Sequence, residues 1–206
     1  LRELDLSNTP FEGSIPEAMG ALSYLQSLRI HGARLSGNLS EALTSGLQSL
    51  QDLSLQDNRL TGTIPSSWGS SLSILDLRRN ALRGSVPRLG TRVAELLLGG
   101  NKITGSLPNI HWHYNDLRIY DLSDNQLEGV PQVDHFPPTL RELYLDGNDG
   151  LGGLLPDIAF CTNLQIIEAG GCSFTAVSLL PYSLARLNLS GNELSELPTG
   201  ISNLNF

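Results

Sequence analysis

Hydrophobic residues recur along this chain in one fixed figure. In the segment from Leu50 to Pro65, Leu50, Leu53, Leu55, Leu60 and Ile64 are apolar, Asn58 and Gly62 hold set places, and polar residues fill the gaps. The skeleton reads L-x-x-L-x-L-x-x-N-x-L-x-G-x-I-P. Units of this kind open at Leu1, Leu25, Leu50, Leu72, Val93, Leu117, Leu140, Leu164 and Leu184, and a tenth begins at Leu204. A period of about 20 to 25 residues marks a solenoid, in which each unit buries its apolar face against the next.

The spacing predicts the elements. The last two leucines of L-x-x-L-x-L alternate with polar residues, the period of a short strand with one buried face. Strands from successive units must then lie parallel in one curved sheet. The Asn that follows (Asn58, Asn80, Asn101, Asn125, Asn148 and Asn192) falls where the chain turns inward. Its side chain both donates and accepts, so it can bridge backbone groups of two units that would otherwise be buried without partners. Thr9, Ala33 and Cys172 hold the same slot elsewhere, and the ladder should weaken there. The Gly of L-x-G (Gly13, Gly37, Gly62, Gly84 and Gly105) permits a tight bend, and Ile-Pro or Leu-Pro sets an extended turn before the convex segment.

The L-x-G-x-I-P half resembles the plant-type subclass of leucine-rich repeats, found in receptor-like kinases, receptor-like proteins and polygalacturonase inhibitors. The resemblance covers essentially the whole chain. It implies an α/β solenoid: a right-handed superhelix or horseshoe of about nine repeats, with a concave parallel β-sheet and a short second strand near Gly-x-Ile-Pro. It also implies extracellular recognition. Residues 1–206 read as a single array, uncapped and cut at both ends. The repeat length wanders, and the Gly-x-Ile-Pro half is expected to fade after Gln126 to Pro131. Irregular arrays of this kind also occur in algal and protist surface proteins.

Composition narrows the partners. A formal net charge of −8 disfavours nucleic acid and anionic membranes, which need clustered Lys and Arg. No apolar run approaches the length of a membrane span. The two cysteines, Cys161 and Cys172, cannot make a disulfide framework; they read as core thiols, Cys172 in the ladder slot and Cys161 just before a strand. Asn38-Leu39-Ser40 and Asn188-Leu189-Ser190 read as sequons, which makes Asn38 and Asn188 candidate carriers of N-glycans.

Residues between the strand leucines face the concave side. In the first half these are mixed charges: Glu3, Asp5, Ser27, Arg29, Asp52, Asp76, Arg78 and Arg79. Further on, Ile74, Leu97, Ile119, Tyr144 and Ile166 form an apolar stripe, rimmed by acids that include Asp121, Asp146 and Glu168. Large exposed apolar patches mark interaction sites, so these eight residues are the candidate ligand-binding set. Gly99-Gly100 and Gly170-Gly171 are expected to let a partner chain approach closely. His111 and His113, with Asp116, fall short of the ligands that a metal site needs. No nucleophile, base and oxyanion donor assemble, and no cofactor is implied.

The sequence therefore predicts a non-enzymatic scaffold at the cell surface or secreted, binding a protein or peptide on its concave sheet. A structural subunit or spacer of a large assembly, on either side of the membrane, and an inhibitor of a cell-wall hydrolase are the alternatives.

Overall fold

A computed structural model describes residues 1–108, 116–131 and 136–201. The repeated leucine pairs form the expected parallel sheet of nine strands in sequence order: Glu3–Asp5, Ser27–Arg29, Asp52–Ser54, Ile74–Asp76, Glu95–Leu97, Ile119–Asp121, Glu142–Tyr144, Ile166–Glu168 and Arg186–Asn188. The middle residue of each strand points inward. Leu28, Leu53, Leu75, Leu96, Tyr120, Leu143 and Ile167 are all buried in one continuous core. The fold is a leucine-rich repeat solenoid.

The flank strands of the L-x-G segments make two smaller parallel sheets. One holds Glu12–Gly13, Arg34–Asn38 and Arg59–Thr61; the other holds Arg83–Gly84, Lys102–Gly105, Gln126–Gly129, Gly150–Leu155 and Ser173–Val177. The expected fading of this half comes later than residue 131: flank strands continue at Gly150–Leu155 and Ser173–Val177, and none follows in the last repeat among the described residues. Leu151-Gly152-Gly153-Leu154-Leu155-Pro156 restores L-x-G-x-L-P, displaced by one extra residue after Asn148, and forms the longest strand of the flank. The inserted residue breaks the N-x-L spacing that the other repeats keep.

The ladder carries the inward turn. Asn58 donates from Nδ2 to Ile30 O of the preceding repeat at 2.7 Å and to Leu55 O of its own at 3.0 Å, while its Oδ1 accepts from Leu35 N at 3.0 Å. Asn80, Asn101, Asn125, Asn148 and Asn192 repeat that geometry. Where the slot lacks Asn, the orphaned amide of the preceding repeat finds a local partner. Opposite Ala33, Phe11 N donates to Thr9 O at 2.7 Å; opposite Cys172, Leu151 N donates to Asn148 O at 3.0 Å. The Cys172 thiol still donates to Leu145 O at 3.3 Å.

The residue just before each ladder slot has positive φ in all nine repeats: Asn8, Gly32, Asp57, Arg79, Gly100, Asp124, Gly147, Gly171 and Gly191. Only Gly visits that region freely, with Asn and Asp next. Arg79 is the exception, and its guanidinium is held by Asp57 through Nε at 2.5 Å and Nη2 at 2.7 Å.

Helical structure among the described residues is confined to the convex side: a 3₁₀ turn at Glu17–Ala21 and one α-helix at Glu41–Gly46, capped by Ser40 Oγ accepting from Leu43 N. No described helix is long and apolar enough to cross a membrane. Both cysteines are free and buried, and burial pushes the Cys161 thiol up to about 12. They are core thiols, as expected.

Asn148 has no exposed surface, so Asn148→Ala strands one amide and two carbonyls in the core. It should lower unfolding free energy by on the order of 3 kcal/mol. Asn192→Ala, in a slot that is only half-buried, should cost clearly less. Urea midpoints at unchanged slope provide the measurement, and equal losses would contradict this account of the ladder.

Candidate functional site

The concave face is built by the first and third residues of each three-residue strand. Parallel register aligns the first residues in one column and the third residues in a second. The first column runs Ile74, Glu95, Ile119, Glu142, Ile166, and the second runs Asp76, Leu97, Asp121, Tyr144, Glu168. Apolar and acidic residues thus alternate along both columns, out of phase with each other. The expected stripe with a rim is instead a checkerboard. The apolar residues zigzag between the two columns, an order set by strand pairing and not by position along the chain.

Neighbouring strands lie about 4.8 Å apart, so each apolar side chain is flanked by acids and shielded by them. Leu97 is only 7% exposed, and Ile74, Ile119, Tyr144 and Ile166 are half-buried. Asp76, Asp121 and Glu168 are buried, and Asp146 is half-buried just past its strand. The structure brings all eight candidate residues onto one face.

Hydrogen bonds hold some of the acids. Arg78 grips Asp76 with Nε at 3.0 Å and Nη2 at 2.7 Å, and its Nη1 lies 4.0 Å from Asp121. Asp121 Oδ1 accepts from Ser123 N at 3.0 Å and Ser123 Oγ at 2.6 Å. Arg186 pairs with Glu168 at 2.5 Å. Tyr144 donates its hydroxyl to Glu142 at 2.8 Å; burial, then this bond, push the phenol up to about 12. The hydroxyl therefore stays protonated at physiological pH.

Between Arg78 and Arg186 the charged members of the two columns, Glu95, Asp121, Glu142 and Glu168, are all acidic, and Asp124 and Asp146 add acids just past their strands; Arg79, Arg118 and Arg141 flank the columns. The consequence falls on Asp146: burial pushes its carboxyl above the ordinary range, and the charges of Asp124, Asp121 and Glu168 add to the shift.

The glycine pairs have a different role from the one the sequence suggested. A Cβ at Gly99 would sit 2.7 Å from Asp121 Oδ1 and from Ser123 Oγ, and one at Gly170 would sit 3.1 Å from Asn188 Nδ2 and Ser190 Oγ. Side chains of the following repeat lean over both glycines, so no partner chain can enter there. Gly100 and Gly171 serve the positive-φ column. That column was legible in the recurrence of Gly, Asp and Asn before the ladder slot.

Among the described residues no group of three or more His, Cys, Asp or Glu could hold a metal ion. His111 and His113 lie outside the described residues. Asn38 is exposed on the flank sheet, while Asn188 is half-buried and its Oδ1 accepts from Ser190 N and Oγ.

A family model described as Leucine Rich Repeat matches residues 1–22, 49–70 and 183–204. Among curated relatives, Receptor-like protein 54 of Arabidopsis thaliana is 34% identical over 163 residues, covering 77% of this chain and 20% of that protein. Receptor-like protein 35 of Arabidopsis thaliana is 33% identical, covering 98% of this chain and 22% of that protein. The chain thus spans only a small part of these relatives. Among solved structures, the plant peptide hormone receptor RGFR1 in complex with RGF2 superposes with a TM-score of 0.85 at 28% identity, over 97% of this chain and 33% of that one. A plant ice-binding protein superposes with a TM-score of 0.77 at 27% identity, over 97% of this chain and 67% of that one.

As pH falls, the native state takes up the Asp146 proton before the unfolded chain does, because the folded value is the higher one. Stability from this group therefore rises as pH drops through the raised value, and the rise is complete below the ordinary value of 3.8. Asp146→Asn should stabilise the fold at pH 7 by less than about 1 kcal/mol, read as a higher thermal midpoint, with the gain vanishing below that range. A lower midpoint at pH 7 would contradict the like-charge account.

Proposed function

We propose, from the premise that this chain is a leucine-rich repeat protein of the plant type, that its concave sheet recognises a protein or peptide segment and performs no chemistry. The segment is extended and alternates basic with apolar residues. One observation carries the reading: the out-of-phase columns of acid and hydrophobe between Arg78 and Arg186. Basic side chains of the partner would meet Asp121, Asp146 and Glu168, and its apolar side chains would cover Ile74, Leu97, Ile119, Tyr144 and Ile166. Burying the half-covered Ile74, Ile119, Tyr144 and Ile166, over a floor that includes Leu97, supplies affinity at roughly 25 cal/mol per Å² of apolar surface. The acids supply orientation and association rate, and strands fixed by the ladder lose little freedom on binding.

The relatives named as receptor-like proteins and the peptide hormone receptor of the same fold support this class of partner, and with it placement at the cell surface or outside the cell. Residues 1–206 act in this reading as one array. The spacer and hydrolase-inhibitor alternatives have no comparable feature of the surface in their favour.

Panning a random-peptide display library against the chain gives the test. Enriched peptides should alternate Lys or Arg with apolar residues. Leu97→Asp and Tyr144→Asp should each weaken their binding about tenfold or more, the range of a lost hot spot. Glu95→Gln with Asp146→Asn should mainly slow association and flatten its salt dependence. A library without binders, or binders indifferent to Leu97 and Tyr144, would overturn the reading.

A further inference from the structure

The flank sheet carries a second surface of opposite sign. There the first residue of a strand lies beside a set neighbour on the preceding strand. Arg34 lies beside Glu12, and the two form an ion pair at 3.2 Å. Lys102 lies beside Arg83. These are two cations on adjacent strands, and among the described residues neither has an ion-pair partner. Like charges set opposite one another weaken a strand pair. Lys102 is also the only lysine of the chain. The pairing costs stability where the equivalent place three repeats earlier gains it.

Both cations line an open groove of about 650 Å³. Asn38, Thr61 and Thr63 are exposed on its walls, the half-buried Ala81 adds apolar surface over the buried Leu39, and no carboxylate contributes to the lining. Thr61 Oγ1 donates to Gly37 O at 3.2 Å, which leaves its lone pairs free to accept. The volume falls within the range of small-ligand sites, about 300–1,000 Å³.

We infer that this groove binds an anionic oligosaccharide, a short run of sugars bearing carboxylate or sulfate groups. The adjacent cations meet the anionic groups. The two hydroxyls and the amide match sugar hydroxyls, which both donate and accept. Ala81 offers contact to the C–H face of a sugar ring. Nucleic acid fits less well, because the groove has no aromatic ring on which a base could stack. The net charge of −8 repels polyanions from the rest of the surface, so binding would be local to this groove. The site is distinct from the concave face, and its occupation does not depend on the peptide reading.

Calorimetric titration of the full chain with alginate oligomers, dextran sulfate, neutral dextran and single-stranded DNA tests the inference. Alginate, dextran sulfate or both should bind, which also identifies the anionic group, and neutral dextran should not. Arg83→Gln and Lys102→Gln should each weaken binding about tenfold or more, the worth of a charge-assisted contact. The control pair Arg88→Gln with Arg92→Gln removes the same kind of charge elsewhere and should leave binding unchanged, as should Leu97→Asp. Binding of neither anionic sugar, an equal loss in the control pair, or equally tight binding of DNA would overturn it.

Discussion

The ladder of Asn side chains is the interaction on which the rest of this molecule depends. Each repeat must turn its backbone inward just after a strand, into a region with no water. Buried amides and carbonyls need partners there, and a side chain that donates and accepts at once supplies them to two repeats together. Asn148 shows the full arrangement, closed off from solvent and bonded to Leu122 O, Leu145 O and Leu127 N. The positive-φ residue before each slot aims the Asn into the core. At the two interior gaps, Ala33 and Cys172, a local turn in the preceding repeat satisfies the amide that would have been left bare. The array tolerates missing rungs because that repair is local.

The ladder fixes strand register, and register decides the surface chemistry. One strand step of about 4.8 Å places Glu95 between Ile74 and Ile119, and Asp121 between Leu97 and Tyr144. The acids are packed closely enough to raise the Asp146 carboxyl. On the flank, the same regularity sets Lys102 beside Arg83. A strongly acidic chain thereby carries an acidic face and a small basic groove as separate surfaces.

A peptide hormone receptor and a plant ice-binding protein both superpose on most of this chain. The solenoid is therefore compatible with unlike tasks, and function resides in the residues displayed on it. That makes the alternating columns and the groove more informative than the fold itself.

The sequence by itself determined the solenoid, its main-sheet strands, the ladder and the core thiols. Each follows from a local repeat: the leucine spacing, Asn58 and its equivalents, and Cys172 in a slot that faces inward. It also marked the eight concave residues, since alternation within one strand fixes which side chains face out. What it could not give was order across strands. Ile74, Leu97, Ile119, Tyr144 and Ile166 read as a stripe until parallel pairing set them out of phase with the acids. Gly99 read as an opening until Asp121 and Ser123 of the next repeat were seen to cover it. The strand at Gly150–Leu155 went unread because one inserted residue moved its motif. Contacts between repeats join residues about 20 or more positions apart, and only the stacking of one repeat on the next brings them together.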